Sequence, residues 1–514
     1  MSNPYLAQVQ RALPRLLALY DSDPTSATRG LGDRYRWAWK LIDFANATFQ
    51  GAVNGLARLV VAEMLPAGVA PAAILRRIDA MVRACAVARD TDGSFAEAFP
   101  GESSFCVTAL VAYDVLTAIE VLGPRLDTAT RAAWLDAIRP AIAFLHRADE
   151  GHAAIANHIA TAAAALYKWH WLAGEGGEAR GRTLLDRVLA WQSPEGWFRE
   201  YEGADPGYET LGLGYLADLH RLRPDLGLGR PLARSLAFLA YCAHPDGSFG
   251  GLYGSRNTRF CLPAGIEAMA GEAPEAAALA AFLRRSVAAR RVVTLDAVDA
   301  PNLVPVFNAY AWAATLAREP IPDAPPLPFA RGGAWRQTLP DAGLVIDKGR
   351  HHYTIVSVHK GGVLYHFADG KARIDAGVAV RDRRGRVFTT QAHERDNPWR
   401  LAGDHLEVTA PLTARTQRLP RPLEFAALRL LGATAMRSPA LREAVKRRLV
   451  RMLITGRRRA PLANRRTIVL GPEAAVSDAW VGAGGGFTRI AANEPFSAIH
   501  MASAGYWQAG DDDA

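Results

Sequence analysis

The sequence predicts an α+β protein of two domains, an N-terminal α/α toroid of helical hairpins followed by an antiparallel β-sandwich. From about residue 35 to 318 the chain is rich in Ala and Leu, with apolar residues spaced i, i+3 and i+4. Beyond a proline-rich stretch, short β-branched and aromatic runs are divided by Gly, Asp and Asn turns. The length of 514 residues also exceeds what one hydrophobic core usually organises.

Breaks in the helical pattern recur at a fairly regular interval. An acidic residue precedes Gly93, Gly151, Gly196 and Gly247, so these glycines are 58, 45 and 51 residues apart. Each unit has room for two helices, and such hairpins stack either into an open solenoid or into a toroid. We favour the toroid, because a solenoid of so few units leaves both ends exposed. Residues 1–319 are therefore assigned to an α/α toroid that forms an incomplete barrel.

Three of the breaks carry an aromatic residue after the glycine, in the sequences DGSF, EGWF and DGSF. We expect the glycine to supply a tight turn and the aromatic ring to wedge between hairpins. Residues 320–330 are assigned to a linker, since their prolines cannot continue a helix. Residues 331–514 are assigned to the β-sandwich, which a helical insertion at about 420–455 interrupts.

The formal net charge is +9, and much of it is concentrated between residues 442 and 466. Such a stripe is expected to attract a polyanion. Because apolar residues interleave with the arginines, contact with a membrane surface through residues 442–466 is an equal alternative. We do not expect a nucleic-acid partner, because no zinc-finger, KH or RRM pattern is present. The basic residues are Arg442, Lys446, Arg447, Arg448, Arg451, Arg457, Arg458, Arg459, Arg465 and Arg466.

The cysteines and the N-terminus bear on possible metal or disulfide sites and on the cellular compartment. The four cysteines have no C-x-x-C spacing, so neither a zinc site nor a disulfide framework is predicted. We expect neither a metal nor another cofactor. The first residues lack an apolar signal region and a small-residue cleavage site, which predicts a cytoplasmic protein.

The loops that open the inner helices of a toroid gather at one end, and here they are unusually polar and aromatic. Aromatic faces, carboxylates and guanidinium groups together suit a sugar chain. The candidate residues in these loops are Asn157, His158, Trp197, Arg199, Glu200, Tyr201, Glu202, Asp205, Tyr208, Glu209, Tyr215, Tyr253, Arg256, Asn257 and Arg259.

These residues resemble polysaccharide lyases of the heparinase and alginate-lyase type, which combine a toroid with a sandwich. In that family an Asn or His opens one inner helix, and a Tyr lies on the next, in a stretch resembling D-G-x-Y-x-E-x-S-x-x-Y. Here Asn157-His158 opens one helix, and the stretch from Asp205 through Tyr208 to Tyr215 opens the next. The two tyrosines are seven residues apart, as in the family stretch, and His158 precedes Tyr215 by 57 residues.

The resemblance implies β-elimination on a uronate-containing, anionic polysaccharide. Abstracting the C5 proton of a uronate requires a donor that stabilises the enolate-like anion, a role that falls to Asn157 or His158 with help from Arg256. A base at C5 and an acid at the leaving oxygen are also required, with Tyr215, His158 and Tyr208 as candidates. The other loop residues are assigned to substrate binding.

Each of these residues also has a structural interpretation. Asn157 is a favoured helix cap, the seven-residue spacing places Tyr208 and Tyr215 on one helix face, and Arg256 is able to pair with a neighbouring carboxylate.

The β domain departs from the family pattern, which has a histidine-rich strand resembling H-x-H-x-D. This sequence has His351-His352-Tyr353 and His359-Lys360-Gly361-Gly362 instead. A histidine among His351, His352, His359 and His366 that faces the toroid cleft is a reasonable third catalytic partner.

Other functions remain open from sequence. Uronate C5-epimerisation begins with the same proton abstraction. Hydrolysis needs an acid and a base, and no spacing among the loop carboxylates selects such a pair. A terpene cyclase of the toroid class requires a D-x-D-D motif, which the toroid lacks. The last alternative is a non-catalytic, polysaccharide-binding scaffold of a capsule or exopolysaccharide system.

Overall fold

The computed structural model describes residues 3–151, 153–318, 324–415, 421–434, 436, 438–450, 458–482 and 485–492, with the backbone alone at 439, 446, 449 and 450. Its N-terminal part consists of helical hairpins in two concentric layers. The inner helices are α3 (Val53–Val61), α5 (Phe105–Leu122), α7 (Ala156–Ala173), α9 (Pro206–Leu222), α11 (Ala264–Met269) and α13 (Ala300–Leu316). The outer helices are α1 (Pro4–Leu17), α4 (Pro71–Ala88), α6 (Thr128–Arg147), α8 (Glu178–Ala190), α10 (Gly229–Ala240) and α12 (Pro274–Ala288), while the short α2 (Arg34–Trp37) precedes the first inner helix.

The inner helices form a closed ring in which each packs against the next and α13 packs against α3. Asn308 of α13 completes the ring: its Oδ1 accepts a hydrogen bond from Gly55 N at 3.0 Å, and its Nδ2 donates to Gly51 O at 2.9 Å. The expected α/α toroid is confirmed, but the expectation of an incomplete barrel is corrected. Outer helix α1, which pairs with α13, supplies the partner that closes the last hairpin.

The inner helices are apolar on nearly every side because outer helices cover one face and the ring covers the others. Among the described residues, one helical stretch, Phe105–Arg125, is long and apolar enough to cross a membrane. Its most apolar window is 83% buried inside the protein, as in the core helices of globular domains.

The glycine turns between hairpins have the predicted structural role. Gly93, Gly196 and Gly247 have φ of +86°, +107° and +89°, a region that residues with a Cβ rarely adopt. Phe95, Trp197 and Phe249, which follow these glycines, are buried between hairpins. Trp197 therefore lies in the packing of the toroid, with its indole N–H donating to Glu195.

The C-terminal domain consists of two antiparallel sheets. One sheet has the order β1-β2-β3-β4-β5, and the other has the order β11-β10-β9-β7-β6-β12, with β8 paired to β9. The strands of the first sheet are β1 (Trp335–Leu339), β2 (Leu344–Lys348), β3 (His352–Ser357), β4 (Val363–Ala368) and β5 (Lys371–Asp375). Those of the second are β6 (Ala379–Asp382), β7 (Val387–Thr389), β8 (Trp399–Ala402), β9 (His405–Ala414), β10 (Arg459–Val469), β11 (Ala475–Gly482) and β12 (Phe487–Ile490).

The central strands β2, β3 and β4 of the first sheet are buried on both faces, because this sheet lies between the toroid and the second sheet. Val345 and Val356 point toward the second sheet, where they pack against Leu406 and Ile468. The alternate residues, such as Ile355, join the large core of the toroid. Successive side chains of a strand point to opposite faces of the sheet, and here both faces are covered. Every residue of β2 and β3 is therefore buried.

The helical insertion lies between β9 and β10 as two helices, α14 (Pro422–Ala433) and α15 (Pro439–Val450). The basic segment does not form one stripe along it, which corrects the sequence interpretation. Arg466 lies in β10, where it is buried between Asp375 and Asp478. Arg442 pairs with Asp92 of the toroid at 3.0 Å. Arg447 and Arg448 remain exposed on α15, whereas Arg451 and Arg457 lie outside the described residues.

Candidate active site in the toroid cleft

Neighbouring inner helices bring the predicted polar loops together at one end of the ring. Ala156 N, at the start of α7, donates to Arg199 O at 3.0 Å, and Ser255 N donates to Ala204 O at 2.8 Å. The loop before α9 is thus bonded to the N-terminus of α7 on one side and to residues 254–259 on the other. This junction is the candidate site.

Asn157 and Glu200 form the floor of this junction. Asn157 donates from its backbone N to Glu200 Oε1 and from its Nδ2 to Glu200 Oε2, both at 2.9 Å. Glu200 thereby satisfies an N–H group at the N-terminus of α7 that lacks a helical partner. Burial raises the pKa of Glu200 to about 7, although the two hydrogen bonds from Asn157 act to lower it.

Asp205 organises the turn that presents Tyr208. It caps α9 by accepting from Tyr208 N at 3.2 Å, and its other oxygen accepts from Arg256 N at 2.9 Å. The Thr258 hydroxyl donates to the same carboxylate. A single buried side chain therefore fixes Tyr208 relative to Arg256, although 48 residues separate them.

Arg256, Tyr201 and Tyr208 form the most distinctive group of the cleft. The Arg256 guanidinium lies over the Tyr201 ring, 4.4 Å from its centroid. Tyr201 has a φ of +58°, a strained backbone conformation that the surrounding contacts must hold. Burial raises the pKa of Tyr208 far above its ordinary value, and Arg256 acts in the opposite direction. Tyr208 is thus a neutral phenol beside a fixed cation.

His158 lies at the edge of the same group and carries a positive charge. Its Nδ1 is 2.8 Å from Glu150 Oε2, and its side chain is partly exposed. Burial alone lowers the pKa of His158, but Cys106 and Glu150 beside it raise that pKa well above its ordinary value. The cleft therefore holds a second cation, His158, in addition to Arg256.

Tyr215 lies two turns further along α9 than Tyr208 and is partly exposed, whereas Tyr208 is buried. It packs edge-to-face on Tyr113 with ring centroids 4.8 Å apart. Both rings line a central cavity of about 40 Å³, together with Asp114, whose pKa burial raises to about 7. The structure thus separates the two predicted tyrosines, since a rise of 1.5 Å per residue places them about 10 Å apart along the axis.

The β domain contributes His393 and Lys360 to the cleft. A Cβ added to Gly203 would come within 2.5 Å of His393 Nε2, so the imidazole lies against the turn that follows Glu200. Ser255 borders the same glycine. Lys360 Nζ donates to Asn257 Oδ1 at 2.6 Å, which joins the sheet to the loop of Arg256.

The remaining predicted binding residues are more dispersed. Arg199 is exposed and donates to Tyr201 O at 2.9 Å. Glu209 is buried between Phe198 N and the Ser235 hydroxyl, and Tyr253 is buried with its hydroxyl 3.0 Å from His244. Arg259 is partly exposed on the strand-like segment that follows Asn257.

Sequence reasoning missed His393, Lys360 and Glu150 as cleft residues. His351 and His352 instead line a separate pocket beside Arg350, and His366 bonds to Thr354 and Pro472 O. His359 packs edge-to-face on His393 at 5.2 Å. The sequence holds one indication of His393, which lies in the polar segment QAHERDN between two predicted strands. In the part of the chain that the structure describes, no three His, Cys, Asp or Glu side chains are placed to hold a metal ion.

No protein-family model and no curated protein sequence matches this chain. Solved structures do. The chondroitin AC lyase of Streptomyces coelicolor A3, in complex with chondroitin sulphate, is 13% identical, with a TM-score of 0.53 over 91% of this chain and 65% of that chain. Heparinase III is 10% identical, with a TM-score of 0.45 over 94% of this chain and 78% of that chain. A Paenibacillus xanthan lyase is 10% identical, with a TM-score of 0.45 over 80% of this chain and 45% of that chain. The chain has the fold of a polysaccharide lyase and spans 65% of the length of the chondroitin lyase.

Stability is expected to fall as the pH rises from about 4.5 toward 8, partly because of Glu209. Burial raises the pKa of Glu209 from 4.5 to about 8, so the folded chain keeps a proton that the unfolded chain has lost. The stability that this protonated carboxyl gives is therefore complete below pH 4.5 and is lost as the pH rises to 8, by about 1.4 kcal/mol for each pH unit in between. Urea denaturation across pH 5 to 8.5 measures this slope.

The variant Glu209→Gln is the matched test of this pH dependence. Gln fits the same two partners, accepting from Phe198 N and donating to the Ser235 hydroxyl, but it cannot ionise. We expect the variant to have a shallower slope than the wild type. An unchanged slope would show that Glu209 titrates normally in the folded protein.

Proposed function

We propose that this protein is a polysaccharide lyase that cleaves a uronate-containing, anionic polysaccharide by β-elimination in the toroid cleft. One observation carries the proposal: the neutral phenol of Tyr208 lies beside Arg256 in a cleft that His393 of the β domain borders. A second cation, His158, lies on the Tyr201 side of the same cleft. The fold of the chondroitin AC lyase supports it.

In this proposal the two cations bind and neutralise the uronate carboxylate. The C5 proton becomes acidic enough to remove only when the negative charge that develops on the carboxylate is stabilised. Arg256 offers a planar guanidinium suited to a carboxylate, and His158 offers a charged N–H group. Asn157 is a positioning residue, since its amide is bonded to Glu200.

Tyr208 and His393 divide the proton transfers. His393 removes the C5 proton, and the electron pair of the broken C5–H bond forms the C4–C5 double bond as the C4–O bond to the neighbouring sugar breaks. Tyr208 donates its phenolic proton to the departing oxygen, a role consistent with a pKa raised by burial. The atoms balance because one proton leaves C5 and another reaches the leaving oxygen.

The proposal is tested by absorbance near 232 nm, where an unsaturated uronate absorbs, during incubation with heparosan, hyaluronan, chondroitin, alginate and polyglucuronate. We expect a rise with at least one polymer. Exchange of the C5 hydrogen with deuterated solvent without a rise would instead indicate an epimerase. Binding of a polymer with neither signal would indicate a non-catalytic scaffold.

A further inference from the structure

Helix α14 is predominantly apolar and yet lies at the surface. Its twelve residues, PLEFAALRLLGA, contain Glu424 and Arg429 as the charged members. Every one of them is at least partly exposed, including Leu423 at 83% and Leu430 at 67%. Helices of this composition are normally buried in a protein core or a bilayer. The exposed leucines of α14 are therefore a candidate contact surface.

A second exposed apolar group lies beside α14, contributed by the start of the toroid. Arg429 pairs with Asp43, and its guanidinium lies 5.6 Å from the centroid of the Phe44 ring. The neighbouring residues Trp39 and Leu41 are 65% and 69% exposed. We call the combined surface the apolar face; its members are Tyr35, Trp39, Leu41, Leu423, Leu430 and Leu431.

The charges around the apolar face are predominantly positive. Arg34, Lys40 and Arg421 adjoin its members in the chain and are exposed. Of the acids beside it, Asp43 pairs with Arg429, and the Glu424 carboxylate accepts from Arg421 N at 2.8 Å. Apolar side chains with Trp, Tyr and a basic border are typical of surfaces that lie in the headgroup region of an anionic bilayer.

We propose that the apolar face docks onto an anionic lipid bilayer, with α14 lying in the plane of the interface. The exposed leucine side chains of α14 enter the boundary of the acyl chains, and Trp39 and Tyr35 lie at the level of the headgroups. The surrounding arginines and Lys40 bind lipid phosphates. This docking is independent of the proposed lyase activity, since it uses none of the cleft residues.

Co-sedimentation with vesicles tests the proposal. We expect the full chain to bind vesicles of phosphatidylcholine mixed with phosphatidylglycerol, and to bind phosphatidylcholine alone weakly. Added salt is expected to weaken binding, because it screens the basic border. The double variant Leu423→Ser/Leu430→Ser is expected to lower the partition coefficient at least roughly tenfold, because two leucines no longer leave water.

Trp39→Ser and Trp171→Ser form a matched pair. Both tryptophans are exposed, at 65% and 59%, but Trp171 lies on α7, outside the apolar face. We expect Trp39→Ser alone to weaken vesicle binding. Equal effects of the two variants, or equal binding to neutral and anionic vesicles, would overturn the proposal. So would a dimer in light scattering that the leucine variant dissociates, because a second copy would then occupy the face.

Discussion

Replacing Tyr208 by Phe is expected to lower kcat for polysaccharide cleavage by roughly 10²- to 10⁴-fold, the usual contribution of one general acid. The variant keeps the ring that packs edge-to-face on Phe260 at 5.6 Å and loses only the hydroxyl. Because that hydroxyl is buried beside Arg256 with a raised pKa, it is the proton donor in our proposal. The initial rate at 232 nm measures the effect, on whichever polymer the wild type cleaves.

Two further Tyr→Phe variants make this result specific. Tyr215→Phe is expected to have the smaller effect, because Tyr215 lies two turns further along α9, against Tyr113 and away from Arg256. Tyr167→Phe is the control, since the Tyr167 ring lies under Arg223, away from the cleft, and its rate should equal that of the wild type. If Tyr215→Phe were inactive while Tyr208→Phe kept its rate, proton transfer would have to be reassigned to the central cavity.

Replacing Lys168 by Met is expected to destabilise the fold by about 3–5 kcal/mol, the cost of breaking a buried ion pair by removing one partner. Lys168 of α7 is completely buried, and its Nζ is 2.8 Å from Asp218 Oδ2 of α9. It also pairs with Glu120 of α5. One ammonium group thus links three consecutive inner helices, and the variant leaves buried carboxylate charge without its main counter-ion. Urea denaturation at neutral pH measures the loss.

The partners of Asp218 explain why this loss is large. Burial alone raises the pKa of Asp218, but Lys168, Arg58 and Arg221 hold it below its ordinary value, so the carboxylate stays ionised. The Tyr113 hydroxyl donates to the same group at 2.7 Å. Removing the nearest cation leaves a buried charge with weaker compensation.

Arg182→Met is the control for Lys168→Met. Arg182 pairs with Asp186 at 2.8 Å on the exposed face of α8, and such pairs contribute at most about 1 kcal/mol. Equal losses of unfolding free energy in the two variants would show that the buried pairs of Lys168 with Glu120 and Asp218 stabilise the fold no more than an exposed pair does.

The sequence by itself determined the class of each domain. The repeated acid-glycine breaks mark the hairpins because Gly93, Gly196 and Gly247 need a positive φ that few other residues adopt. The change from helical to alternating periodicity after the proline-rich stretch predicted a C-terminal antiparallel β domain, and this fold class is confirmed. These are local signals, since a turn or a buried face depends on residues within about one helical turn or strand. The sequence also grouped Asn157, Glu200 and Arg256 as loop residues of one cleft.

Only the tertiary structure decided how distant segments meet. It closed the ring through Asn308 and Gly55, placed His393 against Gly203, and separated Tyr208 from Tyr215. It also buried Arg466 between two aspartates instead of leaving it on a basic stripe. Each of these outcomes depends on contacts between residues far apart in the chain. Local periodicity shows which face of an element is buried, but the partner on that face is selected only when all the layers pack together.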